Sequence, residues 1–293
     1  MSIVVNTNVG SLNAQRSLAE SSRELATAME RLSSGKKINS AADDAAGFAI
    51  AERMTAQVRG LNMATKNAND GLAMLATIEN ATNDVTDMLQ RVRELAVQAA
   101  NDTNSGTDRE YLQLEVDSLL AEINRVSSQT VYNNQNVLDG SRSGTLQVGT
   151  DNGQTIAFNI ESIDTGALGL TNFEVDDSDG NAPGTTGYTS TTSSLSVLDA
   201  GAAAEALDKI SIAIEQVAED RAGYGALANR LEYTVSNLMN VAEFTTAARS
   251  RIEDADFAAE SARLAKAQVL QQTGTAMLAQ ANASSQLAIQ LIR

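Results

Sequence analysis

Asp43 and Asp44 are the first residues of this chain that invite a chemical reading, being two carboxylates of the kind used in general acid–base catalysis. Such a pair works only when the two groups face each other across a cleft, and adjacent residues on a helix point in different directions. Their spacing predicts a place in a helical first turn, where negative charge meets the positive end of the helix dipole. The run DDSDGN, Asp176 to Asn181, offers clustered oxygens for calcium. Setting Gly180 at the invariant glycine of a helix–loop–helix calcium site, however, puts Val175 at the first ligand position, so the run reads as a solvated turn. Gly35-Lys36 lacks the upstream glycine of a phosphate-binding loop. The 293 residues include no His and no Cys, which removes the imidazole base, the thiolate nucleophile and the usual zinc ligands. No catalytic, cofactor-binding or metal-ligating residue is expected, and the chain is not expected to be an enzyme.

A net charge of -16 argues against nucleic acid and against anionic membrane surfaces as partners, since both are bound through clustered Lys and Arg. No run of about 18 apolar residues occurs, so no membrane span is expected. The N-terminal MSIVVNTNVGSLNAQRS lacks a charged region followed by a long apolar core, so no Sec signal peptide is expected either.

What remains is a question of which elements these residues punctuate. Leu18, Leu25 and Leu32 recur every seven residues with Met29 beside them, the mark of a helix that presents a narrow seam to a partner. Ser33, Ser34 and Gly35 break that helix, and Asn39 and Ser40 are candidate caps for the next. From Ile50 an apolar series runs through Met54, Leu61, Ala68, Leu72, Leu75, Ile78, Val85, Leu89 and Val92 with no Pro to interrupt it. A helix from Asp43 to about Ala100 would be on the order of 85 Å long. Turn residues Asn101 to Asp108 end it, and Leu112, Val116, Leu119, Ile123 and Val126 predict a shorter antiparallel return. Around Asn152-Gly153 the period falls to two, with Leu146 and Val148 before the turn and Ile156, Phe158 and Ile160 after it, which predicts a hairpin.

Asp176 to Ser194 is rich in Gly, Ser, Thr and Asp, holds Pro183, the one proline of the chain, and reads as a surface loop. Beyond it, Leu207, Ile210, Ile214, Val217, Arg221, Tyr224, Ala228, Leu231, Val235, Leu238 and Ala242 follow alternating steps of three and four, as in a coiled coil. Arg221 is the one charge in that series and reads as a register or salt-bridge device. In the last segment Leu264, Leu278 and Ile292 fall at fourteen-residue intervals, with Leu270, Met277 and Leu291 beside them. Their stripe finds its natural partner in the N-terminal heptads. The fold expected is mainly α: a long antiparallel helical bundle or coiled coil with a small β-hairpin region, and with the N- and C-terminal helices paired. A second joint should lie near Arg251 to Asp256.

Four segments, RLSSGKKINSAADDAAGFAIAERM, LQRVRELAVQAAND, ANRLEYTVSNL and GTAMLAQANASSQLAIQLIR, resemble the signature segments of bacterial flagellin. The likeness extends over nearly the whole chain and implies a self-assembling subunit of the flagellar filament. By that resemblance residues 1–42 form the N-terminal helix and joint of an inner-tube domain. Residues 43–168 and 199–250 form a rod, 169–198 a short variable surface segment, and 251–293 the C-terminal inner-tube helix. Leu18, Leu25, Leu32, Leu264, Leu270, Met277, Leu278, Leu291 and Ile292 are assigned to inner-tube packing. Gln90, Arg91, Leu95 and Glu115 are assigned to contact with a neighbouring subunit along a protofilament and with a flagellin-sensing Toll-like receptor.

Further partners implied by the family are a secretion chaperone at the C-terminal helix and the filament cap and hook-junction proteins. The implied location is the extracellular filament, reached by the flagellar type III route. Where relatives often have Asn-Gly near the return helix, this chain has Tyr132-Asn133-Asn134, a turn that Asn still accommodates at positive φ. Lys37 and Phe48 stand where Arg and Leu are common. Rival readings are a hook–filament junction protein, against which the intact LQRVRELAVQ and GTAMLAQAN segments argue, and a soluble coiled-coil adaptor.

Overall fold

A computed structural model describes residues 7–170 and 195–291, without the side chains from 284 onward. The expected surface loop at 176–194 and the side chains of Leu291 and Ile292 lie outside the described residues. Among the described residues five helices and two small hairpins follow in the order α1 (Val9–Ser34), α2 (Ala45–Ala99), α3 (Gly106–Gln129), β1 (Val131–Tyr132), β2 (Gln135–Asn136), β3 (Ser143–Gln147), β4 (Thr155–Asn159), α4 (Ala200–Glu253) and α5 (Phe257–Leu291). The chain divides into two compact units, residues 1–59 with 241–293 and residues 60–240.

In the first unit the α1 and α5 helices pair. Asn8 caps α1 by accepting a hydrogen bond from Ser11 N at 3.0 Å, and its own amide donates to Ala281 O of α5 at 2.9 Å. Gly35 ends α1 in the left-handed conformation at φ 70°. The joint that follows is stitched to the second joint by backbone: Lys37 N donates to Glu253 O at 2.6 Å and Ala255 N to Gly35 O at 2.9 Å, and Lys36 bridges antiparallel to Asp254. The second joint therefore falls at 254–256, inside the span expected for it, and Asp256 caps α5 through Ala258 N at 2.9 Å.

The capping of α2 differs in detail from the sequence reading. Asp44, and neither Asn39 nor Ser40, accepts from the first-turn amides of Ala46 at 3.1 Å and Gly47 at 3.0 Å, because the helix begins at Ala45. Asp43 lies before that start. Its carboxylate accepts from Ser40 N at 2.9 Å and Asn39 N at 3.1 Å, bonds that hold it below its usual ionisation range. The adjacent pair thus shapes the joint.

The second unit is built on one apolar cluster. Leu75, Ile78, Val85, Leu89 and Val92 of α2, Val116 and Ile123 of α3, and Ile210, Val217, Tyr224 and Leu231 of α4 are at most 5% exposed. The α4 members recur every seven residues within the three-four series read from the sequence. Arg221 is accommodated among them by an ion pair to Glu79 of α2 at 2.7 Å. A reciprocal capping box between Ser105 and Asp108 starts α3. Asn133 and Asn134, at φ 49° and 61°, make the two-residue turn of the β1–β2 hairpin, so this turn keeps its geometry without glycine. The β3–β4 hairpin pairs Leu146 with Ile156 and Gly144 with Phe158. It lies close on α2 at Gly71, where a Cβ would stand 2.5 Å from Leu146 Cδ1. Asn67 fixes the hairpin there by donating to Gln147 O at 3.1 Å.

Candidate functional site

Two surfaces gather the residues singled out from the sequence, one in each unit. In the first unit, continuing the three-four steps from Leu18, Leu25 and Leu32 gives Ser11, Ala14, Ser21 and Ala28, and continuing them from Leu264 and Leu278 gives Ala267, Gln271, Gly274 and Ala281. The structure uses this phase. Ser11, Ser21, Ala28 and Ala267 are buried between α1 and α5, while Leu18, Leu25, Leu32, Leu264 and Leu278 are half-buried around them. Alternating small and large residues let two helices approach closely, with the large side chains filling the gaps above and below each small one. The small positions were missed by a search for large apolar residues, although the heptad phase pointed to them.

Leu270 and Met277 do not belong to that seam. They are 42% and 64% exposed, because positions 270 and 277 fall one step outside the seam phase of 267, 271, 274 and 278. With Gly274, Gly10, Ala14 and Ser17 they line a groove of about 640 Å³ along one side of the α1–α5 pair. At the joint end of the pair, Glu260 is 4% exposed and was not foreseen. Its Oε1 accepts from Arg263 Nη1 at 2.9 Å and from Arg31 Nη1 at 3.3 Å, so a buried charge crosses from α5 to α1 with two cationic partners.

In the second unit, Arg91 of α2 reaches α3. Its Nε donates to Glu115 Oε1 at 2.9 Å and its Nη1 to Glu94 Oε2 at 2.9 Å, and the two hydrogen bonds, with Glu94 contributing most, raise its pKa. Gln90, Arg91, Glu94 and Glu115 are exposed together on one face. Val97, Tyr111 and Leu114, at 57%, 66% and 64% exposure, add large uncovered apolar side chains of the same two helices. Leu95 requires a correction. At 1% exposure it is part of the α2–α3–α4 core, and a side chain with no surface offers no contact to a partner. Its place in the motif reflects packing that holds the Arg91 face in position.

Among the described residues no group of three or more carboxylate, His or Cys side chains is arranged to hold a metal ion, and no helix is long and apolar enough to cross a membrane.

Residues 5–143 match the bacterial flagellin N-terminal helical region and residues 207–292 the bacterial flagellin C-terminal helical region. The chain is similar to the flagellin of Halalkalibacterium halodurans, with 38% identity covering 99% of this chain and all of that protein. It is equally similar to the flagellar filament 33 kDa core protein of Treponema phagedenis, at 38% identity and the same coverage. Flagellin A of Vibrio cholerae is 34% identical over the full length of both chains. The crystal structure of Bacillus cereus flagellin superposes with a TM-score of 0.47 at 26% identity, covering 59% of this chain and 88% of that one. Matches at both ends, together with full-length relatives above 30% identity, establish that the chain belongs to the bacterial flagellin family.

Proposed function

We propose that this chain is the repeating subunit of a bacterial flagellar filament and that its copies polymerise through the α1–α5 pair. The family supplies the filament. The observation that points to this surface is the apolar side chains left uncovered outside the seam: Val9, Leu12, Met29, Val269, Leu270 and Met277 are between 42% and 64% exposed. A soluble protein seldom leaves such side chains along one helix pair unless another surface covers them. In a filament every copy offers the same uncovered side chains to its neighbours, so a second copy is the occupant consistent with a homopolymer. The inner-tube segments are then 1–42 and 251–293, the rod segments 43–168 and 199–250, and 169–198 the short variable surface segment.

The role is structural, and the chain works outside the cell, exported through the flagellar type III route. The C-terminal helix is the site for a secretion chaperone before assembly, and the filament ends meet the cap and the hook-junction proteins. The exposed face of Gln90, Arg91 and Glu115 serves contact along a protofilament and is the face a Toll-like receptor would read, supported by the uncovered Val97, Tyr111 and Leu114 beside it.

The test is polymerisation of the purified chain followed by negative-stain electron microscopy. Wild-type protein is expected to grow long uniform filaments. Leu278→Asp, which sets a carboxylate in the half-buried seam at a cost of roughly 2–4 kcal/mol per copy, is expected to stay unpolymerised with its helicity nearly unchanged. Normal filaments from the variant would remove the α1–α5 pair from the assembly core. Wild-type protein that forms only discrete small complexes would favour the adaptor reading.

A further inference from the structure

The loop between β3 and β4 carries the one Asn-Gly step of the sequence, Asn152-Gly153. The residues on either side are clamped. Gln147 Nε2 donates to Gly149 O at 2.9 Å and to Asp151 O at 2.7 Å. Gln154 Oε1 accepts from Asp151 N at 3.2 Å, Gln154 Nε2 donates to Asp151 Oδ2 at 3.3 Å, and Gln154 N closes the turn onto Asp151 O at 3.3 Å. Between these clamps Asn152 and Gly153 are both exposed, and among the described residues neither the Asn152 amide nor the Gly153 N–H has a hydrogen-bond partner. Gly153 takes φ 86°, with open space where a Cβ would be.

We propose that Asn152 is a site of spontaneous deamidation through the backbone nitrogen of Gly153. Hydroxide removes the Gly153 N–H proton and the nitrogen attacks Asn152 Cγ. The N–Cγ bond forms, the Cγ–Nδ2 bond breaks, and the amide leaves as ammonia after gaining a proton from water. Water then opens either carbonyl of the five-membered succinimide, giving aspartate or isoaspartate. The net change exchanges an amino group for a hydroxyl, without oxidation or reduction. Glycine favours the closure because no Cβ shields its nitrogen, and the absence of competing hydrogen bonds leaves both reacting groups available.

Other Asp-Gly and Asn-Xaa steps on the described chain are better defended, and Asp70-Gly71 lies inside α2. At Asp139-Gly140, Asp139 Oδ1 is held by Ser141 N at 3.0 Å and Ser141 Oγ at 2.6 Å, and Gly140 lies against Ser162. Asn39, Asn104 and Asn133 are each followed by a residue with a Cβ. Deamidation places a carboxylate beside Asp151. In the isoaspartyl form it also inserts a methylene into the turn that joins Gln147 to Thr155, the last pair of the hairpin register. The loop thus carries a charge-changing, time-dependent mark that does not depend on the filament reading.

The experiment incubates the full-length chain in mildly alkaline buffer at physiological temperature and follows it by peptide mapping and isoelectric focusing. Residue 152 is expected to convert to aspartyl and isoaspartyl products at roughly ten times the rate of any other asparagine, with a mass gain of about 1 Da. The early acidic species should comigrate with Asn152→Asp and be missing from Asn152→Gln. A synthetic peptide of residues 147–159 is run alongside. Retention of the amide at 152 in the folded chain while the peptide converts would overturn the proposal, as would an unchanged acidic species in Asn152→Gln.

Discussion

Gly274 of α5 lies against Leu18 of α1 so closely that a Cβ at 274 would stand 3.3 Å from Leu18 Cδ1. A leucine opposite a glycine lets the two backbones approach while one side chain fills the space that two would contest. The same logic places Ser21, Ala28 and Ala267 in the buried phase of the seam. Small residues bury little apolar area, so this pair is held by shape and by its end contacts, Asn8 to Ala281 and Arg31 to Glu260, more than by a large hydrophobic term.

Substitutions at Gly274 should therefore separate by size. Gly274→Ala gains about 1 kcal/mol of helix propensity, and the neighbour it meets is the flexible end of Leu18, so filaments are expected to grow normally. Gly274→Leu overfills the seam at a cost of roughly 1–3 kcal/mol in each copy and is expected to stop elongation. Elongation rates from seeded growth check both; equal rates for the two variants would mean that close helix approach at this position is unimportant.

At the Arg91 face, stability and recognition should come apart. The Arg91–Glu115 pair is about half-exposed on both sides, 50% and 45%, so solvent screens it and removing it should cost little folding stability. Arg91→Ala is expected to leave the melting temperature within a few degrees of wild type while weakening protofilament contact and binding to the receptor ectodomain. Leu95→Ala should do the reverse first, losing roughly 2–5 kcal/mol of stability because it empties a core position. Thermal melts paired with a binding assay distinguish the two, and a large destabilisation by Arg91→Ala would show that the face is structural.

The periodic elements were legible because their spacing carries the physics. The long α2 was expected from Asp43 to about Ala100 and runs Ala45–Ala99, and α4 follows its three-four steps with Arg221 as the one charge. What escaped reading had no size or period to announce it. Glu260 is buried by two arginines that come from different helices, one of them 229 residues away in sequence. Leu95 is assigned to partner contact only through the resemblance of its motif, and its angular position on α2 against α3 and α4 buries it. Leu270 and Met277 stand beside the Leu264–Leu278 series in the sequence, and a step of one residue turns a helix by about 100°, which carries Met277 out to solvent.

Arg221 offers a test of register against stability. Its Nη2 meets Glu79 at 2.7 Å, yet the pair is 29% and 41% exposed, so a double-mutant cycle with Arg221→Ala and Glu79→Ala should give a coupling below about 1 kcal/mol. Arg221→Leu restores an apolar residue to the heptad series and is expected to melt at or above the wild-type temperature. A coupling of several kcal/mol would mean that the pair holds the unit together instead of setting the alignment of α2 and α4.

The last expectation concerns pH. Asp220 has a buried Oδ2 without a hydrogen-bond partner among the described residues, and burial, followed by the nearby charges of Glu161 and Glu219, raises its pKa above the ordinary carboxylate value. Tyr224, whose hydroxyl accepts from Glu161 N at 3.3 Å, is pushed up to about 12 by burial first and by the Asp220 charge next, so it stays neutral alongside. Because the folded carboxyl holds its proton more tightly than the unfolded one, the folded state binds more protons between the two pKa values, and stability falls as pH rises through that window. Above the raised folded pKa the penalty is complete. Asp220→Asn removes the charge and should raise the denaturant midpoint at neutral pH, by a stability gain on the order of 1 kcal/mol. Below the unfolded carboxylate pKa both chains carry a neutral group at position 220, and the difference should vanish. Urea titrations of the two proteins at neutral and at acidic pH measure it, and a gain that persists unchanged in acid would show that the introduced amide stabilises by packing and that the Asp220 charge is not the cause.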